Sequence, residues 1–176
     1  EPDPEFHKHI DMDRVKGIKF NACNFTVVDV PGVSESTSGI AAYDAGFWVD
    51  GICSEPLMPN CPAEYLDRSV FVGFNKAIKV MHTSSVYPVY VANSKFDGNS
   101  TGIYLSNANN ATILFNEFIL GERGDHEQGE CGESASAFGI NMNNCTGFAI
   151  EENYFTKAQW APVGNYTGIR IAETQA

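Results

Sequence analysis

The chain is expected to be all-β, a solenoid of about five coils of short parallel strands with loop insertions at the turns. Three observations predict it. First, Gly102–Phe118 and Gly139–Phe155 superpose without a gap, and self-similarity of this kind marks a repeat architecture. Ile103 falls on Ile140, Leu105 on Met142, Asn107 on Asn144, Ile113 on Ile150, Asn116 on Asn153 and Phe118 on Phe155. Second, Phe25, Phe71, Phe96, Phe118 and Phe155 each have an apolar residue five positions earlier: Phe20, Leu66, Val91, Ile113 and Ile150. Seven positions earlier stand Ile18, Glu64, Val89, Ala111 and Phe148, so four of the five units alternate with the period of a strand that has one face inward. Third, a second strand in each unit opens with a small residue and Ile: Gly39-Ile40, Ala77-Ile78, Gly102-Ile103, Gly139-Ile140 and Gly168-Ile169.

The tightest unit, Phe96 to Phe118, is 22 residues, and longer steps place extra segments at the turns while the strands keep register. A helical solenoid of that period requires amphipathic stripes at 3.6 residues, and none is visible. Each coil is therefore expected to pair with the next about 4.8 Å along the axis.

Taken in order, residues 1–16 read as an extended lead-in, 17–172 as the β-helix domain and 173–176 as a tail. The first coil holds a strand over 17–25, a turn at Pro31-Gly32 and a second strand from Gly39. Residues 43–65 read as the largest insertion, rich in aromatics, Pro and Cys. Two compact coils follow. The insertions at 119–138 and 156–167 are the other irregular stretches, and loops on such a scaffold are where function concentrates.

These units resemble the repeats of single-stranded right-handed parallel β-helices, the pectin-lyase-like superfamily. The resemblance spans roughly residues 17–172. It implies a right-handed coil; it does not specify an activity, because that fold carries lyases, hydrolases, tailspikes and adhesins alike.

A formal net charge of −11 argues against nucleic acid and against an anionic membrane surface as partners. No apolar run reaches the 18 residues a membrane-spanning helix needs. A solenoid exposes strand edges and core at its ends. The absence of amphipathic cap segments leads to the expectation that this is part of a larger protein or is covered by a neighbouring subunit.

Cys53 and Cys61, eight apart in one insertion, are expected to form a disulfide. Cys23 and Cys145 occupy small-residue slots and read as buried free thiols; Cys131 lies within reach of Cys145 along the axis. A loop disulfide favours an extracellular, secreted or cell-surface setting.

Equivalent positions in a β-helix stack into columns. Asn107 and Asn144 share one slot with His82, Asp44 and Glu173; Asn116 and Asn153 share another with Ser69, Ser94 and Cys23. Both read as inward ladders that satisfy turn backbone, not as ligand groups. The outward column Ala41, Lys79, Tyr104, Asn141, Arg170 is different. Carbohydrate-active β-helices hold their polymer along an outward sheet face, so the resemblance implies a groove here. A cation, a phenol, the Asn141 amide and an arginine in line suit an acidic glycan: Lys79 and Arg170 pair with carboxylates, and the Tyr104 ring stacks on a sugar. Phe47, Trp48 and Trp160 read as exposed aromatics of the insertions, with Trp48 and Trp160 as further ligand contacts.

No catalytic residues are assigned. A lyase or hydrolase needs clustered carboxylates, and adjacent strand residues such as Glu151 and Glu152 point to opposite faces. No cofactor is expected; Ca²⁺ is the one ion the acidic loop suits, through Asp125, Glu127 and Glu130. Five Asn-X-Thr triplets read as by-products of Asn-rich turns, with Asn99 and Asn165 the exposed ones. The expected function is a non-catalytic, rigid, adhesin-like module that presents loops for glycan or protein binding. The alternative is a polysaccharide lyase or glycoside hydrolase acting on an acidic glycan.

Overall fold

In a computed structural model, which describes residues 8–27, 37–55, 61–83, 86–121, 135–161 and 163–173, the chain is a right-handed parallel β-helix. The first coil contains β1 (Lys8–Asp13), β2 (Lys16–Asn21) and β3 (Asn24–Thr26). The second contains β4 (Ser38–Tyr43), β5 (Gly46–Asp50), a short excursion of β6 (Ile52–Cys53) and β7 (Leu66–Asp67), and β8 (Ser69–Val72). The third contains β9 (Lys76–Met81), β10 (Val89–Ala92) and β11 (Ser94–Asp97). The fourth contains β12 (Thr101–Ser106), β13 (Thr112–Leu114) and β14 (Glu117–Leu120). The fifth contains β15 (Ala135–Asn143), β16 (Ala149–Glu151) and β17 (Tyr154–Lys157), and β18 (Gly164–Ala172) begins a sixth. Sheet 1 is β1-β4-β9-β12-β15-β18, sheet 2 is β2-β5-β10-β13-β16, and sheet 3 is β3-β8-β11-β14-β17. Every pairing in them is parallel; β6 and β7 pair antiparallel.

The five phenylalanines form one internal row on sheet 3. Successive ring centroids from Phe25 through Phe71, Phe96 and Phe118 to Phe155 are 4.6, 5.0, 4.7 and 4.9 Å apart, and neighbouring planes lie within 9° of parallel. The strand spacing sets that distance: parallel strands about 4.8 Å apart carry identical side chains at the same interval, so flat rings stack. Opposite them on sheet 1 runs the row Ile10, Ile40, Ile78, Ile103, Ile140, Ile169, in register throughout. The central isoleucines and phenylalanines are fully buried, each contributing about 1.5–3 kcal/mol of apolar transfer. Ile169 and Ile171 on β18 are about half exposed, so the core is open at that end.

From Ile40 onward, the residue before each sheet 1 isoleucine also faces inward; His9, before Ile10 on the edge strand, is exposed. A Cβ on Gly102 would lie 2.8 Å from the Phe118 ring and 2.7 Å from Gly139 O; one on Gly139 would lie 2.6 Å from the Phe155 ring. Two successive inward positions break strict alternation, and only a small residue fits the first. Ala77 fills the same slot, fully buried.

Several expectations are corrected. The stretch 17–25 is not one strand: Ala22, in the left-handed region at φ 50°, turns the chain from β2 to β3, and Asn93, Phe115 and Glu152 do the same in later coils. Each coil therefore has three strands. Residues 8–13, expected in the lead-in, form β1 and pair with β4. The supposed insertion 43–65 contains β5, so Val49 pairs with Phe20 and Val91 in the slot assigned to Leu66, and Phe47 stands in the slot assigned to Glu64. Leu66 lies instead on β7, against Cys53. The Pro31-Gly32 turn lies outside the described residues.

Left-handed backbone suits Gly, Asn or Asp, and a bulky aromatic pays for it. Phe115 has φ 56° with its side chain 44% exposed, whereas Asn93 holds the equivalent corner one coil earlier. Replacing Phe115 with Asn is expected to raise stability by about 0.5–1 kcal/mol, read as a higher urea midpoint; an unchanged or lower midpoint contradicts the strain.

Candidate ligand face on sheet 1

The column expected on the outer face of sheet 1 is in register, with Ala41 and Asn141 in it buried. Asp11 pairs with Ala41, Ala41 with Lys79, Lys79 with Tyr104, Tyr104 with Asn141 and Asn141 with Arg170. Three residues earlier, across the inward Gly or Ala slot, a second outward column runs Ser38, Lys76, Thr101, Phe138, Thr167. A third, two residues later, runs Tyr43, Met81, Ser106, Asn143, Ala172. Lys76, Phe138 and Asn143 belong to this face and were missed. The signal was there: once the small residue is taken as inward, Lys76 is the outward neighbour of Lys79.

The face is cationic and aromatic. Lys76 Nζ lies 5.8 Å from the Tyr104 ring centroid, and the Arg170 guanidinium lies 5.7 Å from that of Phe138. Asn143 Nδ2 donates to Tyr104 Oη at 3.2 Å, which fixes the phenol. Among the described residues Lys76, Lys79 and Arg170 form no salt bridge. Burial lowers the Lys76 pKa, and the charge of Lys79 lowers it further. Asn141, paired in register with Tyr104 and Arg170, is buried, and among the described residues its Oδ1 has no hydrogen-bond partner. A buried acceptor left unpaired costs about 1–3 kcal/mol, a cost that a donor from a ligand would relieve.

The other expected contacts lie elsewhere. Trp48 sits on β5, on the outer face of sheet 2, paired with Lys19 and Tyr90. Trp160 is half exposed in the turn after β17, close to Gly121. Phe47, expected exposed, is fully buried in the core because alternation along β5 turns it inward. Asp125, Glu127, Glu130 and Cys131 lie outside the described residues.

The two asparagine ladders differ. Asn116 and Asn153 are the inward one: Asn116 Oδ1 accepts from Ser94 N at 3.0 Å, Asn116 Nδ2 donates to Val91 O and to Asn153 Oδ1, and Asn153 Nδ2 donates to Ile113 O. Asn107 and Asn144 bond each other at 2.6 Å but are exposed, because both occupy left-handed corners at φ 54° and 52°. Their inward assignment is corrected. So is the exposure of Asn99, which is buried, its amide bridging Phe74 N and Phe71 O; Asn165 is exposed. Cys53 and Cys61 are disulfide-bonded, and Cys23 and Cys145 are free and half-buried.

His82 occupies the corner slot between Asp44 and Asn107 and is buried. Its Nε2 lies 3.1 Å from Ala45 O, so Nε2 carries the proton and Nδ1 is bare, with no partner among the described residues. Burial lowers its pKa below the usual 6.5, outweighing the opposing effects of Ala45 O and Asp44. The unfolded chain then binds more protons than the folded one in mild acid, so stability is full above about pH 6.5 and falls as pH drops below it. Between pH 7.5 and 5.5 the wild type is expected to lose more stability than a His82→Gln variant, measured by urea unfolding; equal losses contradict the assignment.

A family model described as periplasmic copper-binding protein (NosD) matches residues 8–176. No curated protein and no solved structure matches the chain.

Proposed function

The chain belongs to the NosD family, and on that premise we propose that it is a non-catalytic periplasmic β-helix module, a rigid scaffold whose sheet 1 face binds an acidic glycan. The observation that carries the ligand reading is the in-register row Lys79, Tyr104, Asn141, Arg170. Lys79 and Arg170 meet carboxylates, Tyr104 and Phe138 meet sugar rings, and the unpaired Asn141 Oδ1 accepts from a hydroxyl. The loops and Trp160 are further places for contact. The half-exposed Ile169 and Ile171 suit a covering partner, either more of a larger polypeptide or a neighbouring subunit.

The family description names copper. Copper takes imidazole, thiolate or thioether ligands in sets, and among the described residues no three His, Cys, Asp or Glu side chains come together. His82 is a single buried imidazole with one nitrogen on a carbonyl. Cys145 donates to Asn143 O, and burial raises its pKa, the opposite of what a thiolate ligand needs. The His, Cys, Asp and Glu side chains among the described residues therefore do not make a copper site, and no role is derived from the metal. The Ca²⁺ expectation rests on loop residues outside the described ones and gains no support.

The test is titration with uronic-acid oligosaccharides, followed by calorimetry and by ultraviolet absorbance. Binding without unsaturated product is expected, weakened about tenfold or more in a Lys79→Ala/Arg170→Ala variant. No binding overturns the reading. Shortened oligosaccharide favours the alternative of pectin-lyase-like kinship: with ultraviolet-absorbing unsaturated ends a polysaccharide lyase, with new reducing ends and no such absorbance a glycoside hydrolase.

A further inference from the structure

Sheet 2 carries a second row of cations and aromatics that the sheet 1 reading does not use. Its outward column runs Lys19, Trp48, Tyr90, Thr112, one residue per coil and in register. Trp48 faces outward because its neighbours Phe47 and Val49 are fully buried in the core. Lys19 Nζ stands 5.9 Å from the Trp48 ring centroid, and beside it Lys16 Nζ stands 4.8 Å from that of Tyr87. Neither lysine forms a salt bridge among the described residues. The nearest acid in the adjoining column, Asp50, is already engaged: its Oδ1 accepts from Gly51 N and Asn93 Nδ2, both at 2.8 Å. Among the described residues, two lysines thus rest on ring faces without an ion-pair partner, in a protein of net charge −11.

We propose that Lys16, Lys19, Trp48, Tyr87 and Tyr90 form a second face for an acidic glycan, stacking a sugar ring on Trp48 and pairing its carboxylate with Lys19. The chemistry is complementary on both counts. The C–H face of a pyranose packs on an indole or phenol ring at little entropic cost, since those side chains are already fixed on a sheet. A uronate carboxylate gives each lysine the anionic partner it lacks, at a site where salt screening applies. Strands about 4.8 Å apart present Trp48 and Tyr90 side by side, so two rings of one polymer can be engaged along the solenoid axis.

Trp48 and Trp160 are the only two tryptophans, so a Trp160→Phe variant reports on Trp48 alone. In that background a galacturonate hexamer is expected to give a saturable change in fluorescence, weakened by added salt. A neutral glucan hexamer is expected to bind at least about tenfold more weakly. Lys16→Ala/Lys19→Ala, two exposed positions, should weaken the galacturonate response by about tenfold or more, whereas Lys79→Ala/Arg170→Ala should leave it unaltered. Absence of a saturable change, an equal response to the neutral glucan, or a response unmoved by the Lys16/Lys19 pair overturns the proposal. Loss of the signal only in the Lys79/Arg170 pair also overturns it, and assigns glycan binding to sheet 1 alone. Failure of the sheet 1 reading leaves a different mark: the Trp48 signal persists while calorimetric binding no longer depends on Lys79 and Arg170.

Discussion

Replacing Phe96 with Ala is expected to destabilise the protein by about 3–5 kcal/mol, the largest loss of any single side chain. Phe96 lies at the centre of the ring row, 5.0 Å from Phe71 and 4.7 Å from Phe118, and is 1% exposed. Truncation removes the apolar transfer of one ring and two ring–ring contacts, each worth about 0.5–1.5 kcal/mol. Rigid strands on both sides limit collapse into the cavity. A native domain has only about 5–15 kcal/mol to lose, so the variant should sit near its unfolding midpoint at 37 °C. The same change at Phe25, at the end of the row, should cost less, because that ring has one stacked phenylalanine neighbour. Urea unfolding of both variants checks the order; equal losses contradict it.

The second large effect is at Asn116. Its 1% exposed amide links three coils: it accepts from Ser94 N and donates to Val91 O and Asn153 Oδ1. Asn116→Leu fills the volume but strands those partners, and each buried polar group left unpaired costs about 1–3 kcal/mol. A loss of roughly 3 kcal/mol or more is expected by summing them. Asn116→Ser should recover a substantial part. Serine already serves this slot at Ser94, which donates to Ala92 O, and at Ser69, which donates to Asp50 O and accepts from Cys23 N. Equal destabilisation by Leu and Ser would show that volume, not hydrogen bonding, governs the site.

The parts of the fold legible in the residues were those set by repetition. Phe118 and Phe155 announce each other because parallel register stacks like on like, and Tyr104 beside Asn141 follows from the same offset. What was hidden came from places where the register is carried by different chemistry. Phe47 and Val49 were hidden because the excursion of β6 and β7 separates β5 from β8, so counting back from Phe71 lands on Leu66. β1, KHIDMD, was hidden because four of its six residues are exposed and read as a polar lead-in. Lys76 and Phe138 were hidden because the inward glycine slot breaks strict alternation just beside them. Trp48 was placed with the sheet 1 residues because its strand was taken for a loop. Asn99 was read as a surface turn residue, yet its amide closes the corner between Phe71 and Phe74 from inside. The column Lys79 to Arg170 survived all of this, since it depends only on register within sheet 1.

Every functional statement rests on that register, and the ring row reports it most directly. In protein with labelled phenylalanine rings, nuclear Overhauser contacts should link Phe25 to Phe71, Phe71 to Phe96, Phe96 to Phe118 and Phe118 to Phe155, each pair within 5.0 Å. No contact should skip a member of the row. Missing neighbour contacts, or a contact such as Phe25 to Phe118, would contradict the stacked coil and the ligand faces built on it.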